Sequence, residues 1–203
     1  MTAVQSHPLV LASASGVRRR LLENAGVDFQ VDPANVDEEG LKTAIRAEGG
    51  GAAEIAETLA ELKAVTVSRR HPAALVIGAD QTLDCNGQLF DKPADMDHAR
   101  GHLMALAGRT HSLHTSVCVV ERGARLWHDN AVARLTVRPL SDDFIDGYLR
   151  QSGSDICQSI GAYRLEGLGV QLFERIDGDF FTILGLQLLP LLAYLRQRLV
   201  LAS

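Results

Sequence analysis

A short apolar run, Leu9-Val10-Leu11-Ala12, opens directly into Ser13-Ala14-Ser15-Gly16-Val17-Arg18-Arg19-Arg20. This reads as a strand end entering a helix whose first turns carry three arginines. Cations there oppose the helix dipole, each by roughly 0.3–1 kcal/mol, and an anion bound at the helix N-terminus would reverse the sign. Guanidinium forks and free backbone N–H groups both favour phosphate. The competing reading has Ser15 capping the helix while the arginines lie solvated outside.

A second group is Gly78-Ala79-Asp80-Gln81-Thr82, where a lone carboxylate ends the apolar run Leu75-Val76-Ile77. Open α/β sheets bind ligands at the carboxyl ends of their strands. An ionised Asp80 there can bind Mg²⁺ or orient a water, or it can simply accept backbone hydrogen bonds in a turn. Lys63 and Lys92, the latter in Lys92-Pro93, are ordinary surface residues or point charges for phosphate. Gly161-Ala162-Tyr163-Arg164-Leu165-Glu166-Gly167-Leu168-Gly169 allows close backbone approach to a ligand and equally serves plain turns. His98 and His102 are spaced i, i+4 like a zinc pair, but no third ligand lies at suitable spacing, so they read as a solvated helix face. His111 and His114 read as decoration of a strand rather than as acid–base groups.

Composition narrows the classes. A chain of 203 residues with 46% hydrophobic and 22% charged residues is an ordinary globular chain, able to fold without disulfides or structural metal. A net charge of −5 argues against a nucleic-acid binder, and no aromatic stacking platform accompanies the arginines. Cys85, Cys118 and Cys157 are odd in number and far apart, so they read as reduced core residues of a cytoplasmic protein. Phe180 to Leu195 is the most apolar segment. It is interrupted by Gly185, Gln187 and Pro190 and falls short of the ~20 residues a membrane span needs.

The elements that must position these residues follow from periodicity. Leu9–Ala12 reads as a strand, followed by a helix from about Gly16 to Ala25, a short strand Phe29–Val31 and an acidic loop from Asp32 to Gly40. Gly49-Gly50-Gly51 precedes a helix from Ala52 to Arg70, and Leu75–Ala79 is an interior strand. Asn86-Gly87 between Thr82–Cys85 and Gln88–Phe90 predicts a type I′ hairpin. Asp95 caps a helix to Leu106, and Ser141 caps one to about Arg150. Strands about Ser112–Glu121 and Leu126–Val137 flank Arg122-Gly123. The glycine loop leads into a strand Val170–Ile176, and a last helix runs from Leu188 to Val200. Interleaved helices and strands with hairpins predict an α/β domain with a mixed sheet, spanning residues 1–203 as one unit.

Together these groups resemble the Maf family of nucleotide pyrophosphatases along nearly the whole chain. The motifs stand in family order: Ser13-Ala14-Ser15 with Arg18 and Leu21-Leu22; Val36-Asp37-Glu38; Leu59-Ala60 with Lys63-Ala64; Gly78-Ala79-Asp80; and Lys92-Pro93. Gly108-Arg109-Thr110-His111, Gly161-Ala162-Tyr163 with Glu166-Gly167-Leu168-Gly169, Phe173-Glu174-Arg175-Ile176 and Gly185-Leu186 follow.

The resemblance implies a mixed sheet with flanking helices in two lobes around a deep cleft, similar to inosine-triphosphate pyrophosphatases. It implies hydrolysis of a nucleoside triphosphate between the α- and β-phosphates. Asp80 matches the catalytic acidic residue. Ser13, Arg18, Lys63 and Lys92 match the phosphate-binding positions, with Arg19 a further candidate. Asp80 and Glu38 match positions that hold a divalent metal, Mg²⁺ or Mn²⁺. Gly16 and Val17 replace the commoner proline and first arginine, Gln81 follows the aspartate where threonine is common, and Glu166 stands where glutamine is common. In these respects the chain is closer to the branch that hydrolyses 7-methylguanosine triphosphate than to the dTTP/UTP branch. Gln81 and Glu166 are therefore taken as substrate-contacting positions. The partner implied is a small nucleotide, with neither nucleic acid nor membrane, and a homodimer is compatible with the family. A nucleotide-binding regulator of septum formation is the alternative the resemblance leaves open.

Overall fold

The computed structural model describes residues 7–202. Its strands are β1 (Leu9–Leu11), β2 (Gln30–Val31), β3 (Leu75–Cys85), β4 (Gln88–Phe90), β5 (Thr110–Glu121), β6 (Ala124–Val137) and β7 (Phe173–Asp177). Its α-helices are α1 (Gly16–Asn24), α2 (Glu38–Ala47), α3 (Ala52–Ser68), α4 (Met96–Leu106), α5 (Asp142–Ser152), α6 (Phe180–Ile183) and α7 (Leu188–Gln197). The sheet is seven-stranded in the order β2-β1-β3-β5-β6-β7, with β4 on β3. It is mixed, as predicted: β1 pairs parallel with β2 and β3, whereas β4 on β3 and β7 on β6 are antiparallel. No helix among the described residues is long and apolar enough to cross a membrane.

The chain forms two compact units. The first comprises 1–81, 115–131 and 180–203, and the second 82–114 and 132–179. Within the first, the period-two alternation of the strands sorts the core into two faces. Leu9, Leu11, Leu75, Ile77, Ala79, Val117 and Val119 pack with Leu22 of α1 and with Leu191 and Leu195 of α7. Their neighbours Val10, Ala12, Val76, Cys118 and Val120 pack with Ala60, Ala64 and Val67 of α3. Gly78 and Asp80 continue the second set along β3, on the side that α3 covers. Burial pushes the Cys118 thiol up to about 12, which fits an inert core residue.

Gly78 is what lets α3 come close. A Cβ at this position would lie 2.1 Å from the Ala60 carbonyl oxygen and 2.8 Å from the Ala64 Cβ. Small residues on both elements therefore bring the two backbones together, one helical position away from Lys63.

The turn chemistry follows the sequence. Asn86 and Gly87 both take positive φ, 55° and 83°, closing the predicted hairpin. Ser15, Asp95 and Ser141 each accept a backbone N–H as helix caps. Two expectations are corrected. The acidic stretch predicted as a loop to Gly40 turns helical at Glu38, because Asp37 caps α2 by accepting from Gly40 and Glu38 and Glu39 complement the dipole. The strand predicted from Val170 begins only at Phe173, since Leu168–Leu172 is a 3₁₀ turn. Gly169 packs where a Cβ would meet the Arg164 carbonyl oxygen at 2.4 Å, so that stretch coils back on the loop instead of extending.

Candidate functional site

The carboxyl end of β1, the start of α1, the middle of α3, the first turn of α2 and β3 as far as Gln81 all belong to the first unit, and they converge on Asp80. Its Oδ1 accepts from the Lys63 Nζ at 2.6 Å, and the same Nζ lies 2.8 Å from Glu38 Oε1. Asp80 and Lys63 are only 7% and 8% exposed, whereas the Glu38 side chain is 46% exposed and closes the group from outside. Burial raises the Asp80 pKa above the ordinary carboxylate value, and the Lys63 and Arg18 charges pull it back down.

Arg18 is the second buried cation. Its Nε donates to the Gly185 carbonyl at 2.7 Å, and its Nη1 donates to the Ala79 carbonyl at 2.9 Å and to Ser13 Oγ at 3.1 Å. The Nη2 end takes part in none of these bonds. Burial lowers its pKa, with Asp80 and Glu38 acting in the opposite sense, and a guanidinium remains charged throughout. Gly185 adopts φ +92°, a left-handed conformation that side chains rarely take. A Cβ there would stand 3.4 Å from the Arg18 side chain. The turn after α6 therefore presents its carbonyl to Arg18 at close quarters. Ser15 caps α1 by accepting from Arg18 N, which leaves the N–H groups of Gly16 and Val17 outside that cap.

The solvated reading of the arginine run holds for two of its three arginines. Ser15 does cap the helix, and Arg19 and Arg20 are exposed, with Arg19 paired to Glu23 at 2.7 Å. Arg18 alone turns inward. Ser13, Arg18, Lys63, Glu38 and Asp80 are brought together, and Arg19 faces solvent.

Gln81 is placed differently from a ligand group. Its Nε2 donates to Thr115 Oγ1 at 2.8 Å and to the Thr182 and Ile183 carbonyls at 2.9 and 3.2 Å. It ties the end of β3 to β5 and to α6. Gln187, which the sequence reading passed over, donates to the Thr115 and Asp129 carbonyls. Buried glutamines beside apolar neighbours carry no periodic signal, so only the fold reveals them.

Lys92 and Glu166 belong to the second unit, and both are exposed there. Glu166 stands on a tight loop: Gly167 N bonds the Arg164 carbonyl, and Gly161 takes φ +72° with Leu83 and Tyr163 crowding the space of a side chain. Beneath the loop, His111 bonds the Tyr163 hydroxyl at 2.8 Å, and Tyr163 packs edge-on against Phe173 at 4.9 Å. Burial lowers the His111 pKa to about 4, so the ring is neutral. His111 is a buried residue of β5 rather than decoration on the strand's surface.

Among the described residues no three histidine, cysteine, aspartate or glutamate side chains converge as a metal cage. What does converge is one carboxylate pair, Asp80 and Glu38, on a single positive point. Mg²⁺ is usually held by one or two carboxylates, completed by waters and substrate phosphates. The donor set fits such an ion and does not fit a structural zinc site.

Comparison with known proteins is consistent along the chain. Residues 8–198 match the Maf-like protein family. A protein of Paramagnetospirillum magneticum named nucleoside triphosphate pyrophosphatase is 56% identical, over 93% of this chain and 97% of its own. One of Granulibacter bethesdensis with the same name is 52% identical, over 93% and 96%. A protein of Rhizobium meliloti named 7-methyl-GTP pyrophosphatase is 49% identical, over 93% and 95%.

Proposed function

This chain belongs to the Maf-like protein family, and from that premise we propose that it is a nucleoside triphosphate pyrophosphatase. It hydrolyses the anhydride between the α- and β-phosphates, yielding a nucleoside monophosphate and pyrophosphate. The observation that carries the reading is the buried ion pair of Asp80 and Lys63, with Glu38 on its outer side and Arg18 beside it. Burying charges costs several kcal/mol each unless they are paired, so a constellation kept at the end of an apolar strand calls for a use beyond stability.

The reaction needs an in-line water, positioning, and compensation of charge on the pyrophosphate leaving group. Asp80 orients the water and accepts its proton. Desolvation raises its pKa, and a base whose pKa is nearer the working pH accepts a proton more effectively. Arg18 is fastened to the carbonyls of Ala79 and Gly185 through Nε and Nη1, and its Nη2 end and the first N–H groups of α1 would bind the phosphate chain. Lys63 supplies a mobile point charge. Asp80 and Glu38 would hold a divalent cation, which would supply compensation for the charge on the phosphate oxygens. Arg19 has no part in this set, because its guanidinium is exposed and paired with Glu23.

The substrate favoured is 7-methylguanosine triphosphate or a related guanine nucleotide. A guanine edge presents N1–H and the 2-amino group side by side, a donor pair that one carboxylate accepts from bidentately. Glu166 is an exposed carboxylate on a loop that its glycines hold tight, and N7-methylation adds a positive charge to the base it would meet. Relatives near half identity from three organisms carry the 7-methyl-GTP name. Release of pyrophosphate from 7-methyl-GTP, GTP, dTTP and UTP, with and without chelator, tests both levels. No release from any of them would overturn the pyrophosphatase reading. Preference for dTTP or UTP would overturn the guanine assignment alone.

A further inference from the structure

The two buried cations of the site are tied in different ways. Arg18 is fastened to the main-chain carbonyls of Ala79 and Gly185 and to Ser13, so its position is part of the fold. Lys63 is bonded to side chains, Asp80 at 2.6 Å and Glu38 at 2.8 Å. Those are the two carboxylates that the functional reading gives to a divalent cation. The ammonium stands between them, on a flexible four-carbon stem that can carry it to other acceptors.

Charge balance decides what can join this group. Arg18 and Lys63 offset Asp80 and Glu38, so the quartet is neutral as it stands. A divalent cation added between the carboxylates while Lys63 remains would leave two uncompensated positive charges in a largely desolvated site, at high Coulomb cost. A phosphate chain brings negative charge and gives Lys63 another partner.

We propose that the Lys63 ammonium occupies the divalent-cation position of the empty enzyme. Metal then enters between Asp80 and Glu38 only as the phosphates draw Lys63 away. The device keeps the carboxylates paired between turnovers and makes metal and nucleotide load together, since what each displaces is the other's obstacle. The inference rests on the pyrophosphatase reading for the identity of the anion that draws Lys63 off, but its test needs no turnover.

Mn²⁺ binding to the full chain, followed by the electron paramagnetic resonance of the free ion without nucleotide, is the measurement. Lys63→Met and Lys63→Gln should each bind Mn²⁺ at least ~10-fold more tightly than wild type. Lys63→Gln keeps an amide donor beside Asp80 and guards against a folding failure in Lys63→Met. Arg46→Met, which removes an exposed positive charge in the last turn of α2, should change binding by less than ~2-fold, as expected for a screened surface charge. The gain should vanish in Lys63→Gln/Asp80→Asn, which places it at this site. Equal Mn²⁺ affinity in wild type and both Lys63 variants overturns the proposal, as does a gain that survives the loss of Asp80. If wild type releases pyrophosphate while the Mn²⁺ affinities are equal, only this device fails. If wild type releases none, the function reading fails whatever the Mn²⁺ result.

Discussion

In the first unit Asp80 is buried against the Lys63 ammonium nitrogen at 2.6 Å, whereas in the second His111 is buried as a neutral ring bonded to Tyr163 at 2.8 Å. Both centres lie beneath apolar neighbours, and both are polar groups a core would rather avoid. They differ in what compensates the burial. Asp80 has two cations near it, and they work against a desolvation that would otherwise neutralise it. His111 has no charged group acting on it, only desolvation, and so its pKa falls to about 4. Counter-charges favour the charged form of a buried group, and without them burial favours the neutral form.

The largest effect should come from discharging the ionic centre. Asp80→Asn preserves shape but removes the negative charge, and pyrophosphate release should fall at least ~10²-fold, the scale for loss of a general base. Nucleotide binding should persist, since positive groups carry it. Wild-type turnover in this variant would detach Asp80 from the chemistry.

The neutral centre is broken by acid instead. The folded His111 pKa lies below its unfolded value of about 6.5, so between these values the unfolded chain binds more protons. Stability is therefore full above about pH 6.5 and declines as pH falls toward about 4, by about 3 kcal/mol in all. Urea unfolding followed across that range should show the slope in wild type, and it should flatten in His111→Gln. An unchanged slope in the variant would assign the acid sensitivity to other groups.

Arginines on one helix sharpen the comparison further. Arg18→Ala removes a charge bonded to two carbonyls of the site, and kcat/KM should drop by about 10-fold or more, the scale for a charge-assisted contact. Arg19→Ala removes one paired with Glu23 in solvent and should stay within ~2-fold. Equal losses would point to a general field rather than to a defined contact.

The smallest expected change is at Glu166, whose carboxylate is exposed on its loop. Glu166→Gln should reduce the preference for 7-methyl-GTP over UTP by about 1 kcal/mol, roughly 5-fold, read as the ratio of kcat/KM values. A ratio that does not move would make Glu166 a loop residue only.

Much of the local structure was legible because it rests on neighbours in sequence. Asn86-Gly87 closes its hairpin with the positive φ values those residues tolerate, and Ser15, Asp95 and Ser141 cap where they were expected. The two local errors have local reasons. Asp37 and Glu38 are a helix-start signal hidden inside an acidic stretch, and Val170 is a strand former overruled by the glycines on either side of Leu168. Gln81 and Arg19 were assigned by position in a motif, and position does not say which way a side chain turns.

By itself the sequence determined the α/β class, the mixed sheet, the family and the residue types gathered for phosphate chemistry, since periodicity, turn residues and ordered motifs all survive in one dimension. Only the tertiary structure decided that Arg18, and neither Arg19 nor Arg20, turns inward, because that depends on the carbonyls of Ala79 and Gly185, far away along the chain. It also decided that Lys63 meets both Asp80 and Glu38. That meeting requires α3 to press on β3 at Gly78, where a single Cβ would collide with the Ala60 carbonyl. Which charges are buried together is a property of packing, and packing joins residues that no spacing rule connects.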